Sequence, residues 1–132
     1  MSDTPAELSD FRHILYRCKG HVLINGLGLG IVADAVLSRE GVDHVTVIEV
    51  SSDVIALTGP TLEARYGDKL TIVNADALAW KSPRGIRYNV VWHDIWDTIC
   101  GDNKETMSKL HRKYGRRCDW QDSWCRDSVM NR

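Results

Sequence analysis

The chain has 132 residues, 43% of them hydrophobic and 27% charged, and a formal net charge of −1. That size suits a single domain spanning 1–132 with one core, and the composition is ordinary for a soluble globular protein. A near-neutral charge argues against a general nucleic-acid or membrane-surface binder, and no apolar stretch approaches the ~20 residues that span a bilayer.

In chain order, a helix is expected over 6–17, where Leu8, Phe11, Ile14 and Leu15 recur at helical spacing. Short β-branched apolar runs follow at 21–25, 45–50, 70–74 and 88–93. Near-continuous apolarity of that kind marks strands buried on both faces, as a parallel sheet requires. Between them, 31–39 reads as a helix with Val32, Ala35 and Val36 on one stripe. A second helix is expected from a cap at Ser52 or Asp53 to about Arg65, with Gly59-Pro60 able to split or kink it. After the fourth run, Asp102 or Asn103 can cap a helix through Tyr114 that Gly115 ends, and 119–130 reads as a last helix.

Strands alternating with helices predict an α/β fold with a Rossmann-like doubly wound parallel sheet. The sheet is expected to be abbreviated to about four strands over a core of about 20–100, with C-terminal helices over about 102–131. With no fifth strand visible, the fourth-strand edge would be exposed. It would be covered by the C-terminal helices or paired in a homo-oligomer.

The chemistry-bearing pattern begins where the first strand meets the first crossover helix, at Asn25-Gly26-Leu27-Gly28-Leu29-Gly30. Glycines there permit the dihedrals of a sharp strand-to-helix turn and let a ligand approach the backbone without interference from a Cβ. The first-turn amides of the helix are donors suited to a carboxylate or phosphate. Glu49 ends the second strand, placed to accept hydrogen bonds from both hydroxyls of a ribose, and Asp76 follows the third, where a carboxylate can accept from an adenine amino group. Polar signals after three successive strands point to a nucleoside-type small-molecule ligand. Gly28-x-Gly30-x-x-Ala33 also fits a dinucleotide fingerprint, but the chain is short for a second nucleotide-binding half and a substrate region.

With these residues the chain resembles the class I S-adenosylmethionine-dependent methyltransferases, in a truncated form of the spermidine synthase-like (aminopropyltransferase) branch. The resemblance covers about 20–100. It implies S-adenosylmethionine as cofactor, with Asn25, Gly26, Gly28 and Gly30 at its amino-acid end. Glu49 and Val50 would then lie at the ribose, and Asp76 and Ala77 at the adenine. Asp94 and Asp97 match the branch's Asp-x-x-Asp edge, where carboxylates hold and deprotonate an attacking amine; the same two acids could equally cap a helix. The alternative to a transferase is a non-catalytic S-adenosyl-ligand binder or scaffold, and a nicotinamide-nucleotide binder ranks last.

The other features have plainer readings. His93 alternates with Asp94 along the strand and reads as structural, and the tryptophans read as packing residues, with Trp96 a candidate pocket wall. Cys18, Cys100, Cys118 and Cys125 lack any Cys-x-x-Cys pairing, so free thiols in a reducing, cytoplasmic setting are expected, with no metal site. The basic run over 104–117 reads as a solvated helix face, and a nucleic-acid partner is not expected.

Overall fold

The computed structural model of the protein describes residues 12–95 and 103–123. Its elements are α1 (Arg12–Arg17), β1 (Gly20–Asn25), α2 (Ile31–Leu37), β2 (Val42–Glu49), α3 (Ser52–Tyr66), β3 (Leu70–Asn74), β4 (Tyr88–His93), α4 (Asn103–Tyr114) and β5 (Cys118–Ser123). All strands run parallel in the order β3-β2-β1-β4-β5. This is the Rossmann-like α/β sheet expected from the alternation of apolar runs, with one strand more than the sequence pattern revealed.

Two layers of side chains cover the sheet. On one face Val22, Ile24, Val45, Val47, Val90 and Trp92 pack against Ile14 of α1, Val32, Ala33, Val36 and Leu37 of α2, and Leu62 of α3. On the other, Leu23, Ile48, Tyr88 and Val91 meet Leu110 and Tyr114 of α4 and Ala77 of the β3–β4 crossover. That crossover, 75–87, contains no helix. Asp76 closes a single turn instead, its carbonyl accepting the N–H groups of Ala79 and Trp80. The Lys113 ammonium of α4 clamps this turn, donating to the carbonyls of Ala77 at 3.0 Å and Leu78 at 3.3 Å, and to that of Trp80.

The fifth strand corrects the expected helix over 119–130 as far as Ser123; residues 124–130 lie outside the described residues. Cys118-Asp119-Trp120-Gln121-Asp122-Ser123 is a poor strand by propensity. It becomes one because the β4 edge offers a complete ladder from Tyr88 to His93. Arg87 and Asn89, from the start of β4, add side-chain bonds to the Asp119 carboxylate at 2.9–3.1 Å. β4 is therefore an internal strand, and a second copy pairing at the fourth-strand edge would have to displace β5.

Two smaller differences concern α3. Ser51, rather than Ser52 or Asp53, is its N-cap, accepting from Val54 N–H at 3.2 Å. The helix also runs unbroken through Gly59-Pro60. Pro60 is exposed, while Gly59 is buried, where an added Cβ would meet Ile72 of β3 at 3.4 Å. Packing on β3 thus holds the helix through a pair that local propensity would break. Among the described residues, no helix is long and apolar enough to cross a membrane.

Candidate functional site

The carboxyl ends of β1, β2, β3 and β4 form one rim, where open α/β sheets bind ligands. The turn after β1 takes glycine conformations at three positions, with φ of 108° at Gly26, 52° at Gly28 and 82° at Gly30. At Gly26 the reason lies across the sheet. A Cβ there would stand 2.0 Å from the Asp94 carbonyl oxygen, while Asp94 N–H donates to the Asn25 carbonyl at 2.7 Å. At Gly30 a Cβ would stand 2.7 Å from Thr58 Cγ2 of α3. The turn is thereby pressed between the end of β4 and the α3 helix.

Glu49 ties this turn to the next crossover. One carboxylate oxygen accepts Leu27 N–H at 2.8 Å, and the other accepts Ser51 N–H at 3.0 Å. A carboxylate has about four lone-pair sites, so acceptor capacity remains for hydroxyl donors. Asn74 braces the same corner, donating to the carbonyls of Glu49 and Val50 at 3.0 Å each. Val50 presents an apolar side chain to solvent at 68% exposure beside Glu49. Asp76 is exposed and accepts Leu78 N–H at 2.9 Å, and Ala77 is buried beneath it. Gly26, Gly28, Gly30, Glu49, Val50, Asp76 and Asp94 therefore share one rim, with Asp94 half-buried where β4 ends. Asp97 and Trp96 lie outside the described residues. An open groove of about 260 Å³ lies behind the turn, between α2 and α3, lined by Leu29, Gly30, Leu57 and Thr58 among others; Glu49, Asp76 and Asp94 are not part of it.

Asn25 does not face the rim. Its side chain is fully buried, and its Nδ2 lies 3.0 Å from His93 Nδ1. An amide NH₂ can only donate, so Nδ1 is the acceptor and the His93 proton sits on Nε2. From there it donates to Gln121 Oε1 at 2.9 Å; Gln121 Nε2 in turn donates to the His111 carbonyl at 2.7 Å. His111 Nε2 and Ser123 Oγ are 2.6 Å apart. The result is a polar chain under the rim linking β1, β4, β5 and α4. Burial is the main influence on His93, pushing its pKa down to about 3, so the ring is neutral at physiological pH. Burial likewise pushes the Tyr114 phenol beside it up to about 12.

His93, His111, Tyr114, Gln121 and Lys113 carry no local signal of these contacts, because their partners are distant in sequence. Among the described residues no group of three or more His, Cys, Asp or Glu side chains could hold a metal ion. Cys18 and Cys118 are free thiols.

No family of known proteins matches the sequence, and no characterised protein matches it significantly. Solved structures do match the fold. An S-adenosylmethionine-dependent methyltransferase from Mesorhizobium loti aligns with a TM-score of 0.66 at 18% identity, covering 88% of this chain and 50% of its own. A dimethyladenosine transferase from Plasmodium falciparum aligns at 0.62 and 19% identity, covering 83% and 36%. The candidate methyltransferase yhhF of Escherichia coli aligns at 0.69 and 17% identity, covering 92% and 65%. The chain thus spans between about a third and two thirds of the length of these neighbours. The chain shares with these structures the architecture described above, a parallel sheet of five strands with flanking helices.

Proposed function

We propose that the protein binds S-adenosylmethionine across the rim and is a small methyltransferase-like protein acting on a small-molecule or larger nucleophile. The observation that carries this reading is the joint geometry of the glycine turn and Glu49. The turn has no room for side chains at Gly26 or Gly30, and it is fastened by the carboxylate whose remaining lone pairs suit a ribose diol. In this reading Gly26, Gly28 and Gly30 cradle the amino-acid end and Glu49 holds the ribose. Val50 offers an apolar surface to the base, and Asp76 with Ala77 edges the adenine. Asn25 acts from below by fixing the backbone between β1 and β4. The bound sulfonium supplies an electrophilic carbon. Asp94, with Asp97 in the segment that follows, orients the attacking group and accepts its proton.

Transfer of an aminopropyl group, as in the spermidine synthase-like branch, uses the same rim with decarboxylated S-adenosylmethionine. A second reading is binding without transfer, in which the same rim holds the ligand and Asp94 takes no part in chemistry. A cytoplasmic location accords with these roles.

Calorimetric titration with S-adenosylmethionine, S-adenosylhomocysteine, decarboxylated S-adenosylmethionine and NAD tests the reading. Affinity in the micromolar range for an S-adenosyl ligand, lost in Glu49→Ala, is the expected result, and the preferred ligand separates methyl from aminopropyl transfer. Binding of NAD alone, or of none of them, would sink the proposal. Asp94→Asn then separates enzyme from binder: binding persists in both cases, and turnover is lost only if there was turnover.

A further inference from the structure

A net charge of −1 conceals a strong segregation. Between 104 and 117 the chain carries Lys104, Lys109, Arg112, Lys113, Arg116 and Arg117 against Glu105 alone. In the fold Met107, Leu110 and Tyr114 turn α4 inward, leaving Lys109, Arg112, Arg116 and Arg117 exposed along the helix and the turn that ends it. Lys109 and Arg112 stand at i, i+3 spacing on one side of the helix, and Arg116 and Arg117 follow in the turn after Tyr114.

The helix-free crossover adds to this face. Exposed Lys81 and Arg117 both lie near enough to Lys113 to disfavour its charge, although burial is the larger influence lowering its pKa and Asp76 opposes it. Arg87 bonds the Arg116 carbonyl at 3.0 Å, tying the far end of the crossover, three residues after exposed Arg84, to the turn that ends α4. Among the described residues the ion pairs are Arg65–Asp34 and Arg87–Asp119. Lys81, Arg84, Lys109, Arg112, Arg116 and Arg117 have none there.

Cations in the last helical turn favour the helix dipole, by about 0.3–1 kcal/mol each. That accounts for Arg112 and for Lys113, which is also the crossover clamp. It does not account for Lys109, one turn earlier, or for the cations of the crossover. Like charges gathered in excess of the nearby acids Glu105 and Asp76 oppose folding, so a polyanionic partner is the natural complement. Four of these six cations are arginines, whose planar fork suits phosphate oxygens. Of the large exposed apolar residues among those described, Tyr16, Leu29, Val50 and Leu57 lie on other elements and Ile86, 37% exposed, lies in the crossover; one marginally exposed aliphatic side chain is too little for a membrane-inserting surface. At a screening length of about 8–10 Å the acids elsewhere do not cancel the local field.

We propose that this face, formed by Lys109, Arg112, Arg116 and Arg117 with Lys81 and Arg84, docks the sugar-phosphate backbone of a nucleic acid. This departs from the expectation drawn from net charge, and it stands independently of the S-adenosyl site.

The test is fluorescence anisotropy of the full chain with a labelled RNA of about 20 nucleotides, single-stranded and duplex, at about 50 and about 200 mM salt. The wild type is expected to bind at low salt and to lose affinity steeply as salt rises. Combined Lys109→Glu, Arg112→Glu and Arg116→Glu should weaken binding at least about tenfold. The corresponding glutamine variants should flatten the salt dependence by up to about one unit of slope per cation removed. Reversal of exposed Arg12 and Arg39, away from this face, should leave affinity within about twofold. The proposal falls if the wild type does not bind at low salt, or if both variant sets bind as tightly as wild type. It also falls if the Arg12 and Arg39 reversals weaken binding equally, or if polyglutamate competes as well as RNA. Thermal melts of every variant identify any that fails to fold.

Discussion

The two faces of the sheet are built on different principles. The face under α1, α2 and α3 is an aliphatic layer, with Val22, Ile24, Val45 and Val47 alternating inward and helices laid across them. Its stability is that of buried area, about 25 cal/mol per Å² removed from water. The face under α4 buries Asn25, His93, Thr46, Ser82 and Ser123, and is half covered by a crossover without a helix. Here each polar group needs a partner, since an unpaired one costs about 1–3 kcal/mol. Side chains supply most of these partners across the sheet, while Asn25 Oδ1 and the Tyr114 hydroxyl have none among the described residues. Asn25 reaches His93, His93 reaches Gln121, Ser82 meets the Tyr88 hydroxyl at 2.6 Å, and Lys113 clamps the crossover. The aliphatic face tolerates exchange of similar hydrophobic residues; the polar face loses stability with each further donor or acceptor left without a partner.

That contrast can be broken first at the seam between the faces. Gly26→Ala combines a left-handed φ with a Cβ against the Asp94 carbonyl, so it should lower stability by about 3 kcal/mol or more and abolish S-adenosyl binding. Gly41, exposed with nothing within 4 Å of an added Cβ, is the control. Gly41→Ala should be neutral or stabilising by less than about 1 kcal/mol in urea denaturation.

A second test sharpens the polar face through pH. His93 stays neutral in the folded protein down to about pH 3, whereas the unfolded chain takes up that proton below about 6.5. Between those values the unfolded state binds more protons. Stability should therefore fall as pH drops, by up to about 1.4 kcal/mol per pH unit. His93→Gln should be less stable at pH 7.5 yet show a shallower decline from pH 6.5 to 4.5. The residual slope includes His21, whose pKa is lowered by burial and by His44. An unchanged slope in chemical denaturation across that range would show that His93 does not carry it.

The smallest effect is expected at the clamp. Lys113→Met removes hydrogen bonds to the Ala77, Leu78 and Trp80 carbonyls from a half-buried site, so a loss of about 1 kcal/mol is expected. Amide exchange should quicken in the 75–80 turn while the β1 and β2 amides keep their protection. Uniform quickening would mean that the clamp supports the whole sheet rather than one crossover.

Much of the rim was legible in sequence because its signals are local. Three glycines after an apolar run, a glutamate ending the next run and an aspartate after the third can each be read without knowing what lies across the sheet. Asn25 was legible as a polar residue at a strand end, but not its direction. A strand residue points to either face, and only His93, distant in the chain, explains why this one points down. β5 was not legible at all. Asp119, Gln121 and Asp122 argue against a strand, and the argument reverses only when β4 presents an open edge with Arg87 and Asn89 beside it.

The sequence by itself determined the parallel α/β architecture, the position of the turn and the acids that rim it. These follow from periodicity, glycine conformation and chain order, which act over a few residues. Tertiary structure alone decided the fifth strand, the neutral buried His93 chain, the Lys113 clamp and the gathering of cations from the crossover and α4. Each depends on groups brought together across the sheet, where desolvation and hydrogen-bond pairing, rather than local propensity, set the free energy.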